Sequence, residues 1–349
     1  MTSTGETGKG YMTSRPTVAI ESEAQQIIDR YHEMSDLDLA AEAGKVCRQV
    51  HGEGVLLRGL IEFSNRCTRN CLYCGIRRGN HHVQRYSLSE AEIRESVRVG
   101  FQRGLRTFVL QGGEDPLWST TDIARVVEWI KDYTCGEAAV TLSLGIKSRR
   151  CYALLRRAGA DRYLLRFETS NPELHSYLRD GISLARRIEA LKDLKDLEYE
   201  TGTGYMVGLP GESEWTRVRN ALLARELKAD MVGIGPFLPH PQTPLAGSPQ
   251  QPLSLTLRAV SLVRLLLPRC HMPATTAAGS LDPAGREKAL SAGANVLMPN
   301  LTPTIYKADY QLYPGKICLD ESGVKCIGCL SLRVKTVGRR LDFSIGAAL

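Results

Sequence analysis

A closed α/β barrel built from eight strand–helix units is the fold this sequence predicts. Three observations carry the prediction. Eight short apolar stretches alternate with longer amphipathic ones, which is the order of a parallel sheet joined by right-handed crossovers. Two of the amphipathic stretches end on the same punctuation, Arg157-Ala158-Gly159-Ala160 and Ser291-Ala292-Gly293-Ala294, a helix C-cap running into the next strand. Segments rich in glycine, hydroxyls and charge follow the apolar stretches, at the rim where a (β/α)8 TIM barrel keeps its chemistry. An open doubly wound sheet is the runner-up, but no G-x-G-x-x-G follows a first strand.

Residues 1–20 are polar and lack the apolar core of a signal peptide. They read as a flexible lead-in. Residues 21–54 read as N-terminal helices packing on the barrel. Ile27, Ile28, Tyr31, Met34, Leu37 and Leu39 recur among charges, and Ser35 and Asp36 offer a break and a new cap. The barrel is expected over 55–312. Its strands are predicted at 55–63, 107–111, 138–144, 162–167, 200–207, 231–237, 272–276 and 295–299. Helical patterns lie near 89–104, 120–133, 148–158, 172–197, 213–228, 252–267 and 283–291, the first opening on the capping signal Ser-Glu-Ala-Glu. Residues 313–349 form a C-terminal extension.

Directly after the first strand, residues 64–76 read SNRCTRNCLYCGI and space Cys67, Cys71 and Cys74 as C-x3-C-x2-C. Three thiolates this close suit three irons of a [4Fe–4S] cube and leave the fourth iron open. Electron carriers use four Cys per cluster, so the open corner points to catalysis. Tyr73 is placed to pack on the cluster or on a cofactor. The competing readings are three unrelated buried Cys or a zinc site, with His81 or His82 as fourth ligand. A second group, Cys318, Cys326 and Cys329, is spaced C-x7-C-x2-C. It points to another Fe–S cluster, with structural zinc as a competitor. Cys47, Cys135, Cys151 and Cys270 are scattered and read as ordinary buried residues.

The remaining strand ends carry further candidates. The second gives Gln111-Gly112-Gly113-Glu114-Asp115-Pro116, where paired glycines let backbone approach a ligand. In the third, Thr141 and Ser143 alternate with leucines and point to one side. In the fourth, Arg162, Arg166 and Glu168 alternate with large apolar residues. Charges facing a barrel interior must be paired or ligand-bound. An internal Arg166–Glu168 ion pair and hydrogen bonding of Glu168 to ribose hydroxyls are both open. Arg186 or Arg187, on the second of two helical pieces, suits a bidentate clamp on a carboxylate. The fifth and sixth strands end in Gly- and Pro-rich loops containing Leu238 and His240. The seventh and eighth add Thr275, Thr276, Met298 and Asn300, and Tyr306, Tyr310 and Tyr313 follow.

The chain has 349 residues, 43% hydrophobic, enough for a large core, and no run of the roughly 20 apolar residues a membrane helix needs. Ten Cys without an export signal argue for reduced thiols or metal ligands in the cytoplasm. A net charge of +7, with no nucleic-acid motif, does not indicate DNA or RNA binding. Arg66, Arg69, Arg77 and Arg78 crowd the first cysteine loop, to offset cluster charge or meet an acidic electron donor. Arg333, Lys335, Arg339 and Arg340 read as a solvated basic surface.

The first cysteine spacing is the one radical S-adenosylmethionine (SAM) enzymes use. IEFSNRC, NCLYCGIRR, LQGGEDP, TLSLG, DRYLLRFETSNPELH, ETGTGYMVGLPG, DMVGIGPFLPHPQTPLA, PATTAAG, GANVLMPN and YQLYPGKIC together resemble the HydE family, the radical SAM maturases of [FeFe]-hydrogenase. The resemblance runs from about Leu56 to Cys329. It implies a (β/α)8 barrel of the radical SAM type in which Cys67, Cys71 and Cys74 bind the SAM cluster. Tyr73, Gln111, Ser143, Glu168, Arg187, Met231 and Leu238 then match positions near SAM. Thr141, Arg162, Thr275, Thr276, Met298 and Tyr310 match an internal substrate cavity. Cys318, Cys326 and Cys329 match a second, accessory cluster, [2Fe–2S] or [4Fe–4S]. The implied activity is reductive cleavage of SAM to a 5′-deoxyadenosyl radical that acts on an Fe(CO)2(CN)–cysteine complex supplied by HydG, with the product passing toward the scaffold GTPase HydF. A ferredoxin or flavodoxin would be the reductant. A methylornithine-synthase- or biotin-synthase-like enzyme is the alternative within radical SAM chemistry, and a non-enzymatic Fe–S or zinc protein the alternative outside it.

Overall fold

The computed structural model describes residues 16–320 and 323–349. The first fifteen residues of the expected lead-in lie outside them, and a helix, α1 (Pro16–His32), begins ahead of the expected start near 21. Helix α2 (Asp36–His51) starts on the expected cap, with Ser35 Oγ accepting the Asp38 N–H.

The first predicted strand is split at Arg58 into β1 (Gly54–Leu57) and β2 (Gly59–Ser64). From β2 the sheet runs in parallel through β3 (Thr107–Gly112), β4 (Ala139–Ser143), β5 (Arg162–Leu164), β6 (Glu200–Val207) and β7 (Met231–Pro236). On its other side β1 pairs with β8 (Val296–Leu297), and lower down with β9 (Arg340–Asp342) of the C-terminal extension. The strand expected at 272–276 is reduced to single bridges, Met231 to His271 and Pro273 to Val296. Thr275 is already the N-cap of α10 (Thr276–Leu281), its Oγ1 accepting from Ala278 N–H, so the chain leaves the sheet early. Main-chain bonds from Val232 to His271, from Val296 to Met272 and from Leu60 to Pro299 close the ring. The result is a (β/α)8 barrel with a thin seventh stave.

The crossover helices fall close to their predicted places, among them α5 (Arg149–Arg157), α8 (Glu214–Glu226), α9 (Leu253–Leu266) and α11 (Gly285–Ser291). Helices α3 (Glu90–Gln102) and α4 (Thr120–Tyr133) open on full capping boxes, Ser89 with Glu92 and Ser119 with Asp122. The pattern at 172–197 breaks into α6 (Pro172–Leu178) and α7 (Leu184–Asp196), because Asp180 and Gly181 between them take φ of 56° and 78°. Residues Pro303 to Gly338 add α12 (Thr304–Lys307) and α13 (Gly323–Thr336). Among the described residues no helix is long and apolar enough to cross a membrane.

Strand alternation sorts the side chains into two sets. Leu57, Ile61, Phe63, Phe108, Leu110, Val140 and Leu142 point outward and are buried in the apolar core with residues of the surrounding helices. The inner face carries Glu62, Gln111, Thr141 and Ser143, and from β6 and β7 it carries Gly202, Gly204, Gly233 and Gly235. Barrels of this class usually fill their interior with branched residues. Here a Cβ on buried Gly233 would meet nothing closer than Thr203 O at 3.8 Å, which leaves open space beside it, whereas one on Gly204 would lie 2.1 Å from Gly233 O.

The floor is closed by the chain's own C-terminal segment. Arg162 Nη2 donates to the carbonyls of Ile345 and Gly346 at 3.1 and 2.9 Å, and Thr107 Oγ1 donates to Ile345 O at 3.0 Å. Arg58 donates to Gly346 O, and His271 Nε2 to Ala347 O at 3.1 Å. Gly346 sits at φ +59°, where a Cβ would lie 2.4 Å from Leu56 Cδ1, so no larger residue fits. The C-terminal basic group is not a solvated surface throughout. Arg339 is buried and donates to Ala294 O and Gly54 O at 2.9 and 2.8 Å, which ties the extension to the barrel.

Candidate active site at the barrel mouth

The first cysteine loop leaves the end of β2 and is held by its neighbours in a fixed path. Asn65 Nδ2 donates to the carbonyls of Gln84 and Asp309, and Tyr86 N–H donates back to Asn65 Oδ1. Arg85 is the hub. Its two Nη atoms donate to the carbonyls of Asn65, Ile76, Arg77 and Asn80 at 2.6 to 2.9 Å. Cys67 Sγ accepts the N–H groups of Arg69 and Glu114, both at 3.4 Å. Gly113 makes the second of these approaches possible, since a Cβ there would lie 2.1 Å from Arg66 O. Burial raises the Cys71 and Cys74 thiols, and each is raised further by the other cysteines of the loop. Among the described residues no group of three His, Cys, Asp or Glu is close enough to share one metal ion. A cube places each thiolate on a different iron and asks for wider spacing than one ion does. His81 and His82 are exposed.

Around this loop the rim gathers most of the predicted residues. Gln111 and Ser143 are register neighbours on β3 and β4, and Gln111 Nε2 donates to Tyr310 Oη at 3.3 Å. Thr141, two residues below Ser143 and in register with Arg162, is buried inside the barrel, with an Oγ1 that has no partner. Glu168, just past β5, has a left-handed backbone, φ +66°. Its N–H donates to Gly204 O and its carbonyl accepts from Met206 N–H, so the sheet holds a conformation that costs about 1–3 kcal/mol in a non-glycine residue. The ion pair with Arg166 exists, Nε to Oε2 at 3.3 Å, without hydrogen-bond geometry. Leu238 is buried just past β7. Arg186 turns outward to Glu189, whereas Arg187, in the first turn of α7, is buried with Nε and Nη2 both lacking partners. Those two nitrogens form the side-on fork of a guanidinium, the geometry that takes a carboxylate in two parallel bonds.

Four expected residues lie away from the cysteine loop. Arg162 faces inward but at the floor, its Nε 2.6 Å from Glu200. Met231 opens β7 at the same level and accepts from Arg58. Thr276 enters α10, beside Tyr313, to which it is hydrogen-bonded. Met298 is half-buried just past β8.

The Radical SAM superfamily model matches residues 61–224. The chain is 48% identical over 324 residues to the [FeFe] hydrogenase maturase subunit HydE of Thermotoga maritima, spanning 93% of this chain and 91% of that one. The chain belongs to the HydE family of radical SAM enzymes. It is also 28% identical over 73% of its length to the 3-methylornithine synthase of Methanosarcina acetivorans, covering 72% of that protein. The crystal structure of methylornithine synthase superposes with a TM-score of 0.79 at 25% identity, covering 92% of this chain and 94% of that one.

The HydE family, as radical SAM enzymes, implies a [4Fe–4S] cluster and SAM, and the residues fit both. Three buried or half-buried thiols with main-chain donors on sulfur suit a cluster. The fork of Arg187 and the hydroxyl of Thr141 are buried polar groups with no protein partner, donors that a ligand could take up. The second cysteine group is less gathered. Cys318 and Cys326 both act electrostatically on buried Lys307, while Cys329 is hydrogen-bonded to Arg333 one turn further along α13. Cys318 has φ +63°. Of the scattered cysteines, Cys47 and Cys270 are buried as expected, but Cys151 is half-buried and Cys135 is exposed.

Sequence reasoning missed Arg85, Arg179 and Lys316. Lys316 Nζ lies 2.6 Å from both carboxylate oxygens of Glu62 and donates to Tyr310 O at 3.0 Å. A basic residue inside the quoted YPGKIC segment was the available signal for Lys316. Arg85 and Arg179 carried none.

Proposed function

We propose that this chain matures [FeFe]-hydrogenase, acting on an Fe(CO)2(CN)–cysteine complex from HydG during assembly of the two-iron subcluster. The observation that carries the reading is the empty side-on fork of Arg187 on the rim that also carries three thiols. A buried guanidinium with two vacant donors calls for an anionic ligand group, and the amino-acid end of SAM supplies a carboxylate. Cys67, Cys71 and Cys74 would hold the cluster, and Tyr73, Gln111, Ser143, Glu168 and Leu238 would surround SAM. When bound, the cluster and SAM together supply a 5′-deoxyadenosyl radical. The protein's part is to orient SAM, keep water out and present the open space beside Gly233 to the substrate. The floor formed by Arg58, Arg162 and the C-terminal segment limits how far the substrate can descend.

Transfer onward to HydF, reduction by a ferredoxin or flavodoxin, a cytoplasmic location and an accessory cluster on Cys318, Cys326 and Cys329 complete the reading, supported by the family resemblance. Arg66 and Arg78, exposed beside the cysteine loop, would favour an acidic donor. The 28% identity to 3-methylornithine synthase supports an organic substrate as the second reading. Anaerobic reconstitution with iron, sulfide, SAM and dithionite should yield 5′-deoxyadenosine. Hydrogenase activity should return in a maturation assay supplied with this protein and be lost with Cys71→Ser. A loaded cluster without SAM cleavage contradicts the enzyme reading. SAM cleavage without maturation favours the organic substrate.

A further inference from the structure

Residues 178–180, between α6 and α7, clasp the first cysteine loop at three successive points. Leu72 N–H donates to Leu178 O at 3.0 Å, Arg179 Nη1 donates to Tyr73 Oη at 2.6 Å, and Asn70 N–H donates to Asp180 Oδ2 at 3.2 Å. Leu72 and Tyr73 are the two residues between Cys71 and Cys74. The outer two contacts are enough to tether the loop. The middle one adds a permanent positive charge.

That charge is placed differently from the other arginines nearby. Arg66 and Arg78 are exposed, Arg69 is partnered by Glu114 at 2.9 Å, and the half-buried Arg77 and Arg85 donate to main-chain carbonyls of the loop, Arg85 to four of them. Arg179 has a buried Nε with no partner. Its Nη1 is held 2.6 Å from the hydroxyl of Tyr73, which lies next to Cys74 and two residues from Cys71.

We propose that Arg179 is a positioning residue that raises the reduction potential of the cluster held by Cys67, Cys71 and Cys74, with Tyr73 aiming its guanidinium. The inference rests on the cluster reading above. Adding an electron makes the cluster and its three thiolates more negative. A buried cation therefore stabilises the reduced form more than the oxidised form. Arginine keeps its charge at any working pH, so the effect does not depend on proton uptake.

The test uses the full-length protein reconstituted anaerobically, with iron and sulfide content measured per chain. Midpoint potentials are then read by EPR-monitored redox titration without SAM. Arg179→Gln at wild-type iron content is expected to titrate at a more negative potential. Arg179→Lys, which keeps the charge, should stay near wild type, and Tyr73→Phe should shift less than Arg179→Gln. A fully loaded Arg179→Gln at the wild-type potential overturns the proposal. So does a Tyr73→Phe shift as large as that of Arg179→Gln, since the hydrogen bond and not the charge would then be the cause. Should Arg179→Gln and Arg179→Met both fail to load iron while Arg179→Lys loads, the need for the charge stands. Should Arg179→Lys fail as well, the residue serves folding and the proposal falls. A wild-type chain that takes up no cluster would sink the cluster reading itself, a result distinct from all of these.

Discussion

Replacing Lys316 with methionine should cost about 3–5 kcal/mol of stability, the range for breaking a buried ion pair from one side. The geometry puts this pair in that class. The side chains of Lys316 and Glu62 are 7% and 3% exposed, and Nζ lies 2.6 Å from both carboxylate oxygens. Without the ammonium, Glu62 keeps one side-chain donor, Asn300 Nδ2 at 2.8 Å, and its charge stays buried. Tyr310 loses a donor to its carbonyl and the cation 5.0 Å from its ring. An unfolding entropy of about 2.1 cal/mol/K per residue gives roughly 0.7 kcal/mol/K for this chain, so Tm should fall by about 4–7 °C. Glu62→Leu added to Lys316→Met removes the stranded charge and should recover most of the loss. Anaerobic thermal unfolding of the apo protein by circular dichroism measures all three. A single variant within about 1 °C of wild type, or a double variant no more stable than the single, would refute the argument.

Other expectations follow from the same structure. Arg187→Met should weaken SAM binding by about 10–100-fold, the worth of a charge-assisted pair of hydrogen bonds, in equilibrium dialysis with the reconstituted protein, and Arg187→Lys should recover only part because it cannot offer the fork. Gly233→Val places its Cβ in open space, so Tm should hold within about 1–2 °C while maturation drops and SAM cleavage without substrate continues. His271 should stay neutral in the folded state. Burial, followed by Arg58, pushes it down to about 3, and with Nε2 donating to Ala347 O its Nδ1 accepts from Asn295 Nδ2 at 3.0 Å. Its contribution is therefore complete above the unfolded value near 6.5 and is lost as pH falls toward 3. Over that window stability should drop with a slope steeper than that of His271→Asn by up to about 1.4 kcal/mol per pH unit, measured by urea unfolding.

Much of this molecule was legible because its signals are local. Helices announced themselves through Ser89 with Glu92 and Ser119 with Asp122, and the alternation Thr141, Leu142, Ser143 sorted one face from the other. The spacing of Cys67, Cys71 and Cys74 lay within one loop. What escaped depends on partners far away in the chain. Arg58 breaks the first strand because its guanidinium reaches Met231 and Gly346, 173 and 288 residues on. By resemblance Met231 belongs near SAM and Arg162 in the internal cavity, but strand direction and a C-terminal segment that no periodicity foretells put both at the floor. The strand expected at 272–276 failed for a short-range reason that was readable, since Thr275 has the side chain of an N-cap.

The buried arginines explain why the two ends of this barrel differ. A guanidinium has five donors, and one kept from water is costly unless they are used. At the floor and in the scaffold they are largely taken up. Arg162 reaches Glu200, Thr107 and two carbonyls; Arg264 reaches the carbonyls of Gly293, Pro268 and Cys270 and the amide of Asn295; Arg85 takes four carbonyls. These groups hold backbone in place, and a ligand would have to displace existing bonds to reach them. At the mouth, Arg187 has a two-nitrogen fork, Nε and Nη2, without a partner, whereas Arg179, Arg58 at the floor and Arg339 in the scaffold each lack one only at Nε. Folding alone gains nothing from such vacancies, which cost stability in the absence of a ligand. The two-nitrogen fork of Arg187 is the one of these that matches a carboxylate. On this reasoning, adding SAM to the cluster-loaded protein should raise its unfolding temperature, and Arg187→Met should cancel that rise while leaving the unliganded protein as stable as wild type or more so.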